Sequence, residues 1–303
     1  ALRDRLTRTP LARVVPGSED APPSDGDLIE GALGGDPARP ALRVERVVAR
    51  RRGPPAPADR DLAERLPGLE ARSRVLAAIR RCFAERGFTE VETPCRVVCP
   101  GLEPHLVTFA APPDRYLATS PELHLKRLLA AGMDRIYEIT PAFRDDEGGP
   151  WHMTEFTMLE WYRAHEGLDA IVQDVEALLR AAAEAGGQGH RPRGCDLSRP
   201  AERLTVREAF VRYAELDLAA VREREALADA LRERGLEAPS GEDWDDLFFR
   251  LMLDRVEPHL GRERITILED YPSSQAALAR VREDPEWPVA LRLEVYAGGL
   301  ELG

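Results

Sequence analysis

A chain of 303 residues has room for one large domain or two smaller ones, and 43% hydrophobic with 32% charged residues is the composition of a packed globule rather than a disordered segment. A net charge of −12 argues against broad nonspecific binding to nucleic acid, with residues 50–52 (Arg-Arg-Arg) the one short basic run, and it attracts a cationic substrate only weakly. No apolar run approaches the roughly 20 residues that span a bilayer, and no charged–apolar–small leader opens the sequence, so a cytoplasmic protein without membrane contact is expected.

Residues 1–68 are rich in Pro, Gly and Asp and carry two strand-like stretches, 27–32 and 41–49. They read as a short β-rich extension, a reduced OB-like module, and the run Gly53-Pro54-Pro55-Ala56-Pro57 reads as a stiff connector. Because the first residue is Ala1 rather than Met, a start that was processed or left out is expected. From Leu69 the chain turns regular, and 69–303 reads as the main domain. Val75, Leu76, Ile79 and Phe83 recur at helical spacing up to a stop at Gly87. A strand is expected over 88–94 and a short one over 116–119. Ser120-Pro121 signals a helix start, with Ser as cap and Pro as first helical residue. Strands over 135–143 and 155–163 flank a polar, Gly-rich loop, 145–154. Helices follow over 168–185, from Thr205 with a capping box to Glu208, and over 243–260. Strands over 289–295 and from Leu300 close the chain. Hairpins separated by long helical insertions predict an α+β domain around an antiparallel sheet. Cys82, Cys95, Cys99 and Cys195 lack a second pair at zinc-ligand spacing and are expected as free thiols.

The most informative stretch is 135–163, RIYEITPAFRDDEGGPWHMTEFTMLEWYR. On its second strand Phe156, Met158, Glu160 and Tyr162 share one face by the period of two. Arg144 and His152 flank the intervening loop. An arginine fork and an imidazole beside an aromatic ring suit a nucleotide, phosphates clamped and base stacked. Spacing alone equally describes an exposed hairpin with one buried acid, and slightly favours it. At the C-terminus Glu294 and Glu301 flank Tyr296-Ala297-Gly298-Gly299. A turn at Ala297-Gly298 sets the two acids directly opposite; a turn at Gly298-Gly299 sets Glu301 opposite Tyr296 and Glu294 on the diagonal. Both registers put the acids on one face, where like charges call for a cation between them; the alternative is a solvated acidic edge.

These segments resemble the class II aminoacyl-tRNA synthetases. Phe143-Arg144 and His152-Met153-Thr154-Glu155-Phe156 look like the second signature motif, and GFTEVETP over 87–94 looks like the first, which in that family builds a dimer interface. SPELHLKRLL over 120–129 is similar to the lysyl branch. EFTMLEWYR over 155–163 and YPSSQAALA over 271–279 are nearer the elongation factor P lysyltransferases. The resemblance covers about Leu69 to the end, with several long motifs in order. It implies ATP-dependent activation of lysine or β-lysine, Mg²⁺ as cofactor, elongation factor P as acceptor and a homodimer. It further implies Arg144 as the catalytic clamp on the α-phosphate and substrate carboxylate, His152 on the outer phosphates and Phe156 under adenine. Glu122, Glu160 and Tyr162 would hold the substrate, and Glu294 and Glu301 the ATP-bound Mg²⁺. For Glu122 the alternative is a first-turn acid favoured by the helix dipole. Arg144-Asp145-Asp146 departs from the family's Arg-Asn-Glu, so Asp146 or Glu147 takes the ATP-binding role of that Glu. His-Met-Thr likewise replaces His-Asn-Pro.

Two other functions are compatible with the sequence. Transfer to tRNA fits Gly303, where lysyl-tRNA synthetases have Gly and many factor-modifying enzymes Ala, although 1–68 is short for a complete anticodon-binding domain. The family pattern also continues past Gly303 to a third, Arg-containing motif. A truncated sequence is therefore expected, or else a synthetase-like binding or regulatory module.

Overall fold

Two compact units, Ala1–Glu70 and Ala71–Gly303, make up the computed structural model. It describes the backbone of residues 2–3, 10–16, 28–36, 39–49, 57–103, 106–145 and 152–303, and the side chains of 65–103, 106–145 and 152–303. In the first unit β1 (Leu2–Arg3), β2 (Pro10–Pro16), β3 (Leu28–Asp36) and β4 (Arg39–Ala49) form one sheet in the order β1-β2-β4-β3. β3 and β4 pair antiparallel from Leu28↔Ala49 to Asp36↔Arg39, so both strands extend past the stretches that alternation marked out. The Pro-rich connector lies outside the described residues except for Pro57, which opens α1 (Pro57–Glu85). That helix begins well before Leu69 and contains Pro67. Leu62 and Leu66, ahead of Leu69, stand at helical spacing, but Pro67-Gly68 reads as a break and hides the helix start.

The second unit continues from α1 into β5 (Thr89–Glu90), within an expected strand, β6 (Arg96–Val97), a two-residue strand too short for alternation to mark, and β7 (Tyr116–Leu117), again within an expected strand. α2 (Glu122–Ala130) follows, then the hairpin β8 (Arg135–Phe143) and β9 (Glu155–Arg163). Helix propensity and a Gly186-Gly187 stop give α3 (Leu168–Ala185). β10 (Glu202–Thr205) feeds α4 (Val206–Ala214), whose start is fixed by the expected capping box between Thr205 and Glu208. α5 (Arg224–Glu233) and α6 (Trp244–Leu251) complete a helical insertion. β11 (Thr266–Pro272), β12 (Val281–Arg282), β13 (Val289–Ala297) and β14 (Leu300–Glu301) close the unit.

The α+β class holds, but the sheets are mixed rather than purely antiparallel. β8–β9, β11–β13, β12–β13 and β13–β14 are antiparallel, while β5 runs parallel to β8 and β10 parallel to β11. In this second unit each parallel pair is separated in sequence by at least one helix, a crossover that parallel pairing requires, while in the first unit β2 pairs parallel with β4, with β3 between them in sequence. One apolar cluster, centred on Phe210, Phe248 and Tyr271, fixes the helical insertion on this sheet. Another joins Phe83 of α1 and Phe88 to Tyr137 of β8, with Leu159 and Trp161 of β9 against it. The odd-numbered apolar residues of β9 thus face the core, which turns Phe156, Met158, Glu160 and Tyr162 to the opposite face.

One charged group is locked within this core. Asp174 of α3 is fully buried and accepts hydrogen bonds from Arg163 at 2.5 and 2.9 Å and from Arg86 at 2.6 Å. Burial opposes its ionisation, but the two guanidinium groups outweigh that penalty and hold the carboxyl below the usual carboxylate range. Asp174→Ala is expected to destabilise the fold by about 3 kcal/mol, because buried Arg163 loses its two bonds to Asp174 and is left with Glu166 as its carboxylate partner. A depressed folded-state pKa contributes stability above the unfolded value of about 4 and loses it as pH falls through the lower folded value. Chemical denaturation at neutral and acid pH checks this: the gap between parent and variant should narrow below about pH 4.

Candidate functional site

The face presented by β9 is completed by α2 and the end of β8. Nine residue pairs lock β8 to β9, from Arg135↔Arg163 to Phe143↔Glu155. α2 begins at Glu122 with Pro121, in helical conformation, as its cap, one residue later than expected; Ser120 Oγ accepts the Glu122 N–H at 3.0 Å from just outside the helix. The same hydroxyl donates to Glu160 Oε2 at 2.8 Å. Tyr162 donates to the other oxygen, Oε1, at 2.5 Å. Glu122 pairs with Lys126 at 2.5 Å. Burial raises the Glu160 carboxyl above the usual range and the charge of Glu122 adds to this, against the lowering hydrogen bonds from Tyr162 and Ser120 and the ammonium of Lys126. Burial and then Glu160 raise the Tyr162 phenol, so it stays a proton donor. Glu122, Glu160 and Tyr162 are therefore brought together as an acidic pocket suited to an ammonium.

Arg144 stands at the exit of β8. Its backbone N–H donates to Thr154 O at 3.0 Å, and its Nε to Thr119 O at 3.4 Å. The guanidinium lies 5.3 Å from the centre of the Phe156 ring, so the cation and the aromatic platform are adjacent. Asp145 is held to Val107 by a backbone bond of 2.9 Å. Asp146 and Glu147 lie outside the described residues, as does most of the loop that precedes His152.

In the C-terminal hairpin Tyr296 pairs with Glu301 and Ala297 with Leu300, the second of the two registers. Glu294 accepts hydrogen bonds from the hydroxyls of Tyr271 and Tyr296 and pairs with Arg292. Burial raises the Glu301 carboxyl, and the charges of Glu294 and Glu257 raise it further, against Arg292 and His152. His152 is thus within electrostatic reach of Glu301. Among the described residues no group of three or more His, Cys, Asp and Glu could hold a metal ion by itself. Mg²⁺ usually takes one or two carboxylates plus substrate phosphates and water, and Glu294 with Glu301 fit that reduced demand.

Sequence reasoning missed Ser120 as a partner of Glu160, Lys126 beside Glu122, and the set Tyr271, Arg292 and Glu257 around the hairpin acids. Residues 40 positions apart meet at Ser120–Glu160, a contact that no local spacing encodes. The four cysteines are free thiols.

A face that sets a guanidinium on an aromatic ring beside an acidic pocket matches a known class. The family model described as tRNA synthetases class II (D, K and N) matches residues 64–303, and the chain belongs to this family. Among curated proteins it is similar to the "Elongation factor P--(R)-beta-lysine ligase" of Salmonella typhi, 38% identical over 247 residues, 78% of this chain and 72% of the relative. The proteins of that name from Salmonella paratyphi B and Salmonella schwarzengrund match with the same identity and coverage. Among the described residues no helix is long and apolar enough to cross a membrane.

The pocket's electrostatics predict a pH dependence. An ammonium binds ionised Glu160, whose carboxyl in the free protein is raised above the usual range. Lysine affinity should therefore weaken as pH falls through that raised value, with protons released on binding within that window. Calorimetric titration of lysine in buffers of different ionisation enthalpy measures both.

Proposed function

We propose that the protein is an ATP-dependent ligase that activates lysine or β-lysine as an aminoacyl adenylate and transfers it to a lysine side chain of elongation factor P. The observation that carries this reading is the pocket of Glu122, Glu160 and Tyr162, set on the same strand face as Phe156 and near Arg144. The names of the 38% identical relatives support the same acceptor. Residues 69–303 act as the catalytic domain and 1–68 as an accessory extension, in a cytoplasmic homodimer built on the segment 87–94.

A carboxylate oxygen of the amino acid attacks the α-phosphorus of ATP. A new P–O bond forms, the α–β P–O bond breaks and pyrophosphate leaves. Phe156 stacks on adenine, His152 takes the outer phosphates, Asp146 or Glu147 takes the remaining nucleotide-binding role, and Arg144 clamps the α-phosphate and the attacking carboxylate. Glu294 and Glu301 would hold Mg²⁺, which would supply charge to offset that of the phosphates. Little covalent help is needed, so positioning and charge neutralisation carry the rate. Glu122 and Glu160 hold the side-chain ammonium, and Tyr162 keeps Glu160 oriented. The acceptor ε-amine then attacks the acyl carbon, an amide forms, and AMP and a proton leave.

ATP–pyrophosphate exchange tests the first half-reaction. It should depend on lysine or β-lysine and stay at background with aspartate or asparagine; preference for either of those moves the chain to a neighbouring branch of the family. A second reading, transfer to tRNA, is favoured by Gly303, where lysyl-tRNA synthetases also carry Gly.

A further inference from the structure

That mechanism leaves one buried acid unused. Glu138 lies on β8, 2% exposed, directly across the ladder from Glu160. Its Oε1 accepts the Thr93 N–H and its Oε2 the Thr93 hydroxyl, both at 2.8 Å. A buried carboxylate is costly unless hydrogen-bonded, and here two of its bonds go to a single residue of the segment after β5. Val91 N–H adds a bond of 2.9 Å to Tyr137 O, so this segment is strapped along β8.

From Thr93 the backbone reaches the site in a few bonds. Cys95 O accepts the Ala118 N–H at 2.8 Å, and Ala118 O accepts the Phe143 N–H at 3.0 Å. Thr119, fully buried, donates to Pro100 O through its N–H at 3.0 Å and its hydroxyl at 2.8 Å. Thr119 O receives the Nε of Arg144, and the next residue, Ser120, bonds Glu160. The strip 118–120 therefore aims the arginine and steadies the acid, and it is hung from the segment that Glu138 clamps.

We propose that Glu138 is a positioning residue for adenylate formation, acting through Thr93 and residues 95 and 118–120 on Arg144 and Glu160. The inference rests on the reading of Arg144 as the phosphate clamp.

Thr93→Val removes one of the two clamp bonds and keeps the backbone N–H, so it should fold. Its exchange rate at saturating ATP and lysine is expected to fall about 3–10-fold, the worth of one hydrogen bond. Glu138→Ala, which removes both, should fall about 10–100-fold through misplacement of the reacting groups. Glu138→Gln can accept from the Thr93 N–H and donate to its hydroxyl, so it should stay within about 3-fold of the parent. A role confined to stability would move the denaturation midpoint and leave the rate of the folded enzyme alone. A double-mutant cycle adds direction: with Arg144→Ala in place, Thr93→Val should have little further effect. Parental rates in both Thr93→Val and Glu138→Ala, or full multiplication with Arg144→Ala, would overturn the proposal. Calorimetry with Mg·ATP separates the two levels. If the parent binds Mg·ATP but shows no lysine-dependent exchange, the substrate reading fails. Weakened Mg·ATP binding by Thr93→Val then still supports Glu138, and equal binding overturns it. A parent that does not bind Mg·ATP overturns both.

Discussion

Arg144→Ala is expected to lower lysine-dependent pyrophosphate exchange by about 10²–10³-fold or more while leaving the folded state intact, as when a single preorganised donor to transition-state charge is removed. The side chain sits where β8 ends, anchored by its backbone to Thr154 and by Nε to Thr119. Its position is set by the hairpin rather than by its charge, so truncation removes the clamp without unpicking the ladder. Lysine substitution should rescue only partly, because an ammonium cannot supply the planar fork that a carboxylate and a phosphate share. Exchange kinetics with thermal denaturation of the same samples check both parts. Activity within a few-fold of the parent would remove Arg144 from the mechanism.

The second large effect concerns substrate choice. Glu160→Gln should weaken lysine activation by about 2–3 kcal/mol, roughly 30–150-fold, the worth of a hydrogen bond to a charged group, and barely change ATP binding. The carboxylate already takes one bond from Ser120 and one from Tyr162, so its geometry is fixed before the substrate arrives. An amide keeps the shape and loses the charge. Norleucine, which is lysine without its ammonium, should be rejected by the parent more strongly than a missing methylene would explain, because Lys126 is already paired with Glu122 and buried Glu160 is left without an ammonium of its own. Adenylate formation across lysine isomers, ornithine and norleucine measures this. Equal rates for lysine and norleucine would dismiss the pocket.

Much of this site was legible in the sequence because its elements are local. The strands 135–143 and 155–163 are rich in β-branched and aromatic residues on either side of a polar, Gly-rich loop, and end as expected in β8 and β9. The capping box at Thr205–Glu208 and the glycine stop after Ala185 mark α4 and α3. Where the signal was weak, the fold went further than the pattern. Helix α5 carries two arginines and three acids among its ten residues, which hides its apolar stripe of Leu227, Ala228 and Leu231. Strand β10 has four residues, too few for periodicity, and is held by its parallel partner β11. The C-terminal hairpin left two registers open, and the pairing of Tyr296 with Glu301 selects one. Long-range partners such as Ser120 for Glu160, or Glu138 for Thr93, come from tertiary packing that spacing does not encode.

The central claim is lysyl transfer to a protein, and mass spectrometry of the acceptor tests it most directly. Purified elongation factor P is incubated with the enzyme, ATP, Mg²⁺ and either lysine or (R)-β-lysine, with tRNA in a parallel reaction. The account predicts a gain of one lysyl unit on one lysine side chain of the factor, dependent on ATP and lost with Arg144→Ala. An unmodified factor beside a charged tRNA would contradict it.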